Sequence, residues 1–204
     1  MKKYLNVMID TETLSRRPSA AIIQIAAKPF CLDGSEPFKE IYDCVFHANI
    51  NATSCAMYGM DFEKETIDWW TKNISANEEF KYTRDADPIK LVLEGFSNQL
   101  NEWLKRCGAD ELKPWCQGTD FDIALMREAY RRVLGSEEKT PWKYRNVRDA
   151  RTYFLEAAEM FAPDEPNPYS LIETDGEKHH ALDDCDWSIK AVQWAYKKIR
   201  NQKS

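Results

Sequence analysis

Three clusters of acidic residues, one of them beside two histidines, are where this 204-residue sequence has the means to do chemistry. Asp10 ends the apolar run Tyr4-Leu5-Asn6-Val7-Met8-Ile9, and Glu12 follows two positions later. Alternate side chains of a strand share a face, so the two carboxylates project to the same side. Burying such a pair without a counter-charge costs several kcal/mol. Mg²⁺ or Mn²⁺ meets that need, because it takes oxygen ligands and leaves positions for water and substrate phosphate. The alternative is a solvated turn after a strand. The second cluster lies in Trp115-Cys116-Gln117-Gly118-Thr119-Asp120-Phe121-Asp122, where a short strand delivers two acids into the start of a helix. That is the usual place for functional groups on α/β sheets. Asp120 fits a helix N-cap. Asp122, in the first turn, reaches back over the strand ends and is the better ligand. The third cluster, His179-His180-Ala181-Leu182-Asp183-Asp184-Cys185-Asp186, holds two of only three histidines. On one continuous helix His179 and Asp184 would stand about 140° out of phase. They converge if His179 lies in a loop and Asp184 in the first turns of the helix that follows. Pro166, Pro168 and Gly176 upstream suit such a loop. A lone histidine is more often structural than catalytic; with acids beside it, it is a candidate proton acceptor at neutral pH.

Strands must come first in the chain to carry these groups. Tyr4–Ile9, Ala20–Phe30 and Phe38–Phe46 are apolar or rich in aromatic and β-branched residues. Turn signals at Arg17-Pro18-Ser19 and Asp33-Gly34-Ser35 separate them, which predicts an antiparallel meander. Helical spacing begins after Gly59, with Phe62–Trp70 behind Asp61 as N-cap. A longer amphipathic helix is expected over Pro88–Cys107, stopped by Gly108. Leu112–Cys116 then reads as a strand, Phe121–Leu134 as a helix, Trp142–Val147 as a further strand and Arg148–Met160 as a helix. Three prolines make 161–168 a loop, and Ala181–Ile199 is helical, with Ile189, Val192 and Ala195 on one side. Strands followed by alternating helices and strands predict a mixed sheet with helices against it.

Length suits one domain spanning 1–204. With 28 Lys+Arg against 34 Asp+Glu the net charge is −6, so charge alone would not suggest a nucleic-acid binder. Two divalent cations add four positive charges where a phosphate must sit, leaving −2. No apolar stretch approaches the roughly 20 residues of a membrane span, and the N-terminus does not read as a signal peptide. Six cysteines without a C-x-x-C pair argue against a zinc site or a secreted disulfide framework, which makes the cytoplasm the expected compartment. The sequons at Asn51 and Asn73 then carry no weight. Seven Trp and nine Phe leave room for an apolar face, and hence for a homodimer.

Asp10-Thr11-Glu12-Thr13, Phe121-Asp122 and His179-His180-Ala181-Leu182-Asp183-Asp184 resemble, in order, the three motifs of the DEDDh branch of DnaQ-like 3′→5′ exonucleases. The resemblance spans about residues 5 to 190, and the ordered triple is more specific than any motif alone. It implies an α/β, ribonuclease-H-like mixed five-stranded sheet flanked by helices. It implies further that Asp10, Glu12, Asp122 and Asp184 bind two Mg²⁺ or Mn²⁺ ions and that His179 is the catalytic histidine. The substrate would be the 3′ end of RNA or DNA, released as nucleoside 5′-monophosphates. Thr13, through its backbone, and Leu14, as an apolar wedge, would meet the terminal nucleotide. His180 occupies an intervening slot and Asp183 is not the family's ligand. Gly118-Thr119 with Asp120 departs from the family's second motif. Trp69-Trp70 and the paired histidines are similar to a compact bacterial and phage subgroup of exoribonuclease-like proteins.

Around that site, Arg16, Arg17, Arg145, Arg148 and Arg151 are candidates for phosphate contacts, with a solvated basic turn as the alternative for Arg16-Arg17. Trp69 and Trp70 point about 100° apart on a helix, so one belongs to the core and the other is open to stacking on bases. Two other classes use the same residues: a catalytically idle nucleic-acid-binding module, and a metal-dependent phosphatase of small molecules.

Overall fold

The computed structural model describes residues 2–35, 44–73, 86–173, 176 and 179–202. Strand β1 (Tyr4–Thr13) sends Leu5, Val7 and Ile9 into one layer of helices and Met8 into the other. It pairs antiparallel with β2 (Ile22–Phe30), which pairs antiparallel with β3 (Phe46–Asn49). On its other edge β1 runs parallel to β4 (Glu111–Cys116), and β4 runs parallel to the two-residue β5 (Arg148–Asp149). The result is a mixed five-stranded sheet in the order β3-β2-β1-β4-β5.

One face of the sheet is covered by α1 (Ala52–Ala56), α2 (Lys64–Lys72), α3 (Ile89–Arg106) and α4 (Asp122–Leu134). Helix α3 buries Ile89, Val92, Leu93, Phe96, Leu100 and Trp103, a stripe at three- and four-residue steps. Helix α4 ends on Gly135, whose left-handed backbone (φ 85°) closes its last turn. The other face carries α5 (Ala150–Phe161) and α6 (Ala181–Asn201), which pack on Met8, Ala26, Phe30 and Trp115. Among the described residues no helix is long and apolar enough to cross a membrane.

Several boundaries differ from the sequence reading. Most of the expected strand Phe38–Phe46 lies outside the described residues, and β3 begins at Phe46. Trp142–Val147 is not a strand. Trp142 is drawn into the core, Tyr144–Asn146 forms a single 3₁₀ turn, and the Asn146 amide donates to buried Glu111. These side-chain contacts hold the segment off the sheet until Arg148. Asp149 then caps α5 by accepting the Thr152 N–H at 2.8 Å. Asp61 does not cap α2, because its carboxylate accepts the Ser19 hydroxyl and the helix starts later, at Lys64.

Two details of the sheet set up the site. Pairing of β1 with β4 stops at Met8 opposite Trp115, so β1 continues past the end of its parallel neighbour with only β2 beside it. A bulge between Glu12 and Thr13 interrupts that remaining pairing, a common device for re-aiming side chains beside functional sites. On β2, buried Gln24 accepts the Ala181 N–H at 2.7 Å and donates to Asn49 Oδ1 at 2.9 Å. That pair of bonds fastens the first turn of α6 to the sheet.

Candidate active site

Because β4 ends early, the Thr11 N–H on that edge of β1 has no strand to meet. Asp122, the first residue of α4, supplies the acceptor: its Oδ1 takes the Thr11 N–H at 3.1 Å and the Thr11 hydroxyl at 2.7 Å. The residue that locks Asp122 thus lies between the two acids of β1 in sequence, with its side chain on the other face of the strand. Asp10 and Glu12 project on Met8's side of the strand, toward α6. Asp184 lies in the first turn of α6, and His179 lies just ahead of that helix. The His179 N–H donates to Asp184 Oδ2 at 3.1 Å, bridging the five-residue gap between them. His179 adopts φ 65°, a left-handed backbone that costs a non-glycine residue roughly 1 kcal/mol or more. Gly176 lies so close to Asp183 that a β-carbon there would come within 2.7 Å of Asp183 Cβ, which restricts this position to glycine.

All five residues line one cleft of about 640 Å³, together with Thr11, Gln117, Phe121, Arg151 and a group from the loop before α6. Ligand atoms of Glu12, His179 and Asp184 lie within 4.8 Å of one another. Asp10 and Asp122 stand in the same cleft outside that tight group. Burial pushes the Asp10 carboxyl well above the usual range, and the neighbouring charges of Asp122, Glu12 and Asp184 push it the same way. Burial also raises Asp122, to about 7, against the lowering effect of the Thr11 hydrogen bonds. Asp184 is raised by burial too, opposed by the His179 N–H. The thiol of buried Cys185 is held neutral by the same desolvation, so the wall behind the acids adds no further negative charge. Oxygen donors in this number, pressed together against their own repulsion, are the donor set that a hard divalent cation requires.

Other expected residues fall elsewhere. Asp120 is exposed and does not cap α4, whose N-cap position is Phe121. Arg16 and Arg17 flank Glu63, at 3.7 and 3.5 Å. Arg148 donates to the carbonyls of Arg145 and Val147, and Arg145 lines a separate depression with Arg127 and Lys143. Arg151 alone of the five lines the acid cleft. Thr13 and Leu14 are buried and do not line it: the Thr13 carbonyl accepts the Trp70 indole N–H at 3.0 Å, and Leu14 N–H donates to Ala21 O at 2.9 Å. Trp70 is the core member of the tryptophan pair, while Trp69 is 37% exposed with its ring edge-on to His179, centroids 4.6 Å apart. His180 turns to β3, its ring 5.1 Å from that of His47 and its Nδ1 3.2 Å from Asp183 Oδ2. Thr11 and Gln24 escaped the sequence reading, although a polar residue inside each apolar strand was a visible signal.

Solved structures share this architecture. The chain is similar to cell-death related nuclease 4 (CRN-4), with a TM-score of 0.62 and 16% identity, over 95% of this chain and 65% of that one. It is also similar to the nuclease domain of 3′hExo, a DEDDh family member bound to rAMP, with a TM-score of 0.59 and 12% identity over 98% and 93% of the two chains. A third neighbour is E. coli Exonuclease I in complex with a 5cy-dA13 oligonucleotide, with a TM-score of 0.56 and 12% identity over 98% and 43%. The chain thus spans under two thirds of CRN-4 and less than half of Exonuclease I. No curated protein sequence matches it. The fold is ribonuclease-H-like, and the family model described as the 3′-5′ exoribonuclease Rv2179c-like domain matches residues 5–196. By that match over nearly its whole length, the chain belongs to the Rv2179c-like family of 3′-5′ exoribonuclease domains.

Proposed function

We propose that this chain shortens RNA from the 3′ end, releasing nucleoside 5′-monophosphates, with Asp10, Glu12, Asp122 and Asp184 holding two Mg²⁺ or Mn²⁺ ions and His179 as general base. The observation that carries this reading is the cleft itself, in which four carboxylates of three separate elements meet one imidazole. Bound there, the cations would supply the positive charge that a phosphodiester needs for attack by water and departure of the 3′ oxygen. The chain's own residues do the rest. Thr11 fixes one oxygen of Asp122 through its N–H and its hydroxyl. The His179 N–H fixes Asp184, and the imidazole of His179 faces the cleft, where it takes the proton from the attacking water. Arg151 supports the strand by its charge without reading sequence. The rAMP and oligonucleotide bound to the structural neighbours support nucleic acid as the substrate class.

The test is a gel of 5′-labelled RNA and DNA, single-stranded and with 3′ overhangs, in Mg²⁺ or Mn²⁺ and in EDTA. A ladder that shortens from the 3′ end of RNA, and vanishes in EDTA, is the expected result. A strand retained but uncut marks the binding module, and release of phosphate from a simple monoester marks the phosphatase. Thr11 allows a second, quieter test. Thr11→Val keeps the shape but removes the hydroxyl that orients Asp122, so Mn²⁺ affinity measured by calorimetry falls roughly 10-fold. Thr11→Ser restores it.

A further inference from the structure

The acids account for only part of the cleft. Tyr169 and Trp187 line it as well, their rings stacked with centroids 5.4 Å apart and planes 25° apart. Trp187 follows Asp184 by three residues on α6, about 5 Å along the axis and on the same side of the helix. Beneath the pair lies buried Phe154, edge-on to Trp187 at 5.7 Å and tilted against Tyr169 at 6.1 Å, with Trp194 against Phe154 in turn. The core below is thus already closed by other rings, yet Tyr169 keeps 40% of its surface open. Arg151 is the one lysine or arginine among the described residues lining this cleft.

Tyr169 and Trp187 present a stacked pair of neutral rings here, not a charged group. Nucleobases are the part of a nucleic acid that such a surface takes, because each presents a π-face and stacking tolerates any sequence. We infer that Tyr169, backed by Trp187, seats a nucleobase of the strand whose 3′-terminal phosphodiester reaches the acids. This rests on the function proposed above. Tyr169 here is a binding residue and Trp187 the residue that positions it. Trp69, another aromatic beside the site, is packed edge-on against His179 and Trp70.

The experiment measures binding, by fluorescence anisotropy, of 5′-labelled oligoribonucleotides in Ca²⁺ in place of Mg²⁺. One set ends in normal nucleotides and the other in two abasic ones. The parent protein binds the base-bearing end roughly 10-fold more tightly. Tyr169→Ala erases that preference by weakening only the base-bearing ligand, and Tyr169→Phe retains it. The inference is overturned if the parent shows no preference, if Tyr169→Ala keeps it, or if that variant weakens both ligands equally. Base preference that persists in a protein unable to shorten RNA in Mg²⁺ would sink the proposed function and leave the seat standing.

Discussion

Asp10→Asn gives a folded protein that digests RNA at least roughly 1,000-fold more slowly than the parent and yet melts higher in EDTA. The two effects share one cause. Asp10 is desolvated at the end of β1, and the charges acting on it are those of Asp122, Glu12 and Asp184, all of its own sign. Such a group works against the fold unless a cation sits among the four. Asparagine keeps its shape and removes the repulsion, while it also removes a ligand charge without which the cations are held weakly. Relief of one buried like-charge contact is of order 1–3 kcal/mol. For a chain of this size that corresponds to a rise of roughly 5 °C in melting temperature. Calorimetry in EDTA reads the second effect, and the RNA gel reads the first. A variant that melts well below the parent would make Asp10 part of the structural frame. One that digests RNA at the parental rate would remove it from the chemistry.

How much of this was visible beforehand depended on whether neighbours in sequence or neighbours in space decide the outcome. The period of two along β1 is local, so a shared face for Asp10 and Glu12 follows from spacing alone. The same holds for the stripe of α3 and for the loop-then-helix placement of His179 and Asp184, which the prolines and Gly176 announce. Partners distant in sequence are not visible in this way. Glu63, 46 and more positions away, flanks Arg16 and Arg17, and Glu111 draws in Asn146 and Lys143 from across the sheet. Those contacts decide that the Arg16-Arg17 turn does not line the cleft and that Trp142–Val147 is not a strand. Asp120 met the composition rule for a cap, but the chain turns one residue later, at Phe121. Tyr169 and Trp187 gave no periodic signal, since a proline-rich loop and a helix had to fold together before the two rings could stack.

In the absence of divalent cations, stability passes through a maximum near pH 4 to 5 and falls as the pH rises toward 7, and Mn²⁺ cancels the fall. An unfolded chain releases its aspartate protons near pH 4. In the folded protein burial holds the Asp122 proton to about 7 and keeps Asp10 and Asp184 above their ordinary values. Between those limits the folded state binds more protons than the unfolded one, so each unit of pH removes stability. Other carboxylates act in the opposite sense at lower pH. Hydrogen bonds from Asn146, Lys143 and Lys2 hold Glu111 at about 2, and those from Arg131 and Arg132 do the same for Glu128. Their contribution is lost as the pH falls through 4 toward 2 and is complete by about pH 5, so most of the fall set by the cleft acids lies above it. The two windows therefore separate into a rise and a fall. Cations bind only the ionised carboxyls, so the Mn²⁺ effect grows with pH. At 100 times the dissociation constant it amounts to about 2.7 kcal/mol, or roughly 5–10 °C in a chain of this length. Melting curves at about pH 5 and about pH 8, with EDTA or Mn²⁺, are the measurement. A metal-free stability that keeps climbing to pH 8, or a Mn²⁺ shift equal at both pH values, would show that these carboxyls do not gather around a cation. Asp10→Asn should weaken both the fall and the Mn²⁺ shift, because one side chain is responsible for part of each.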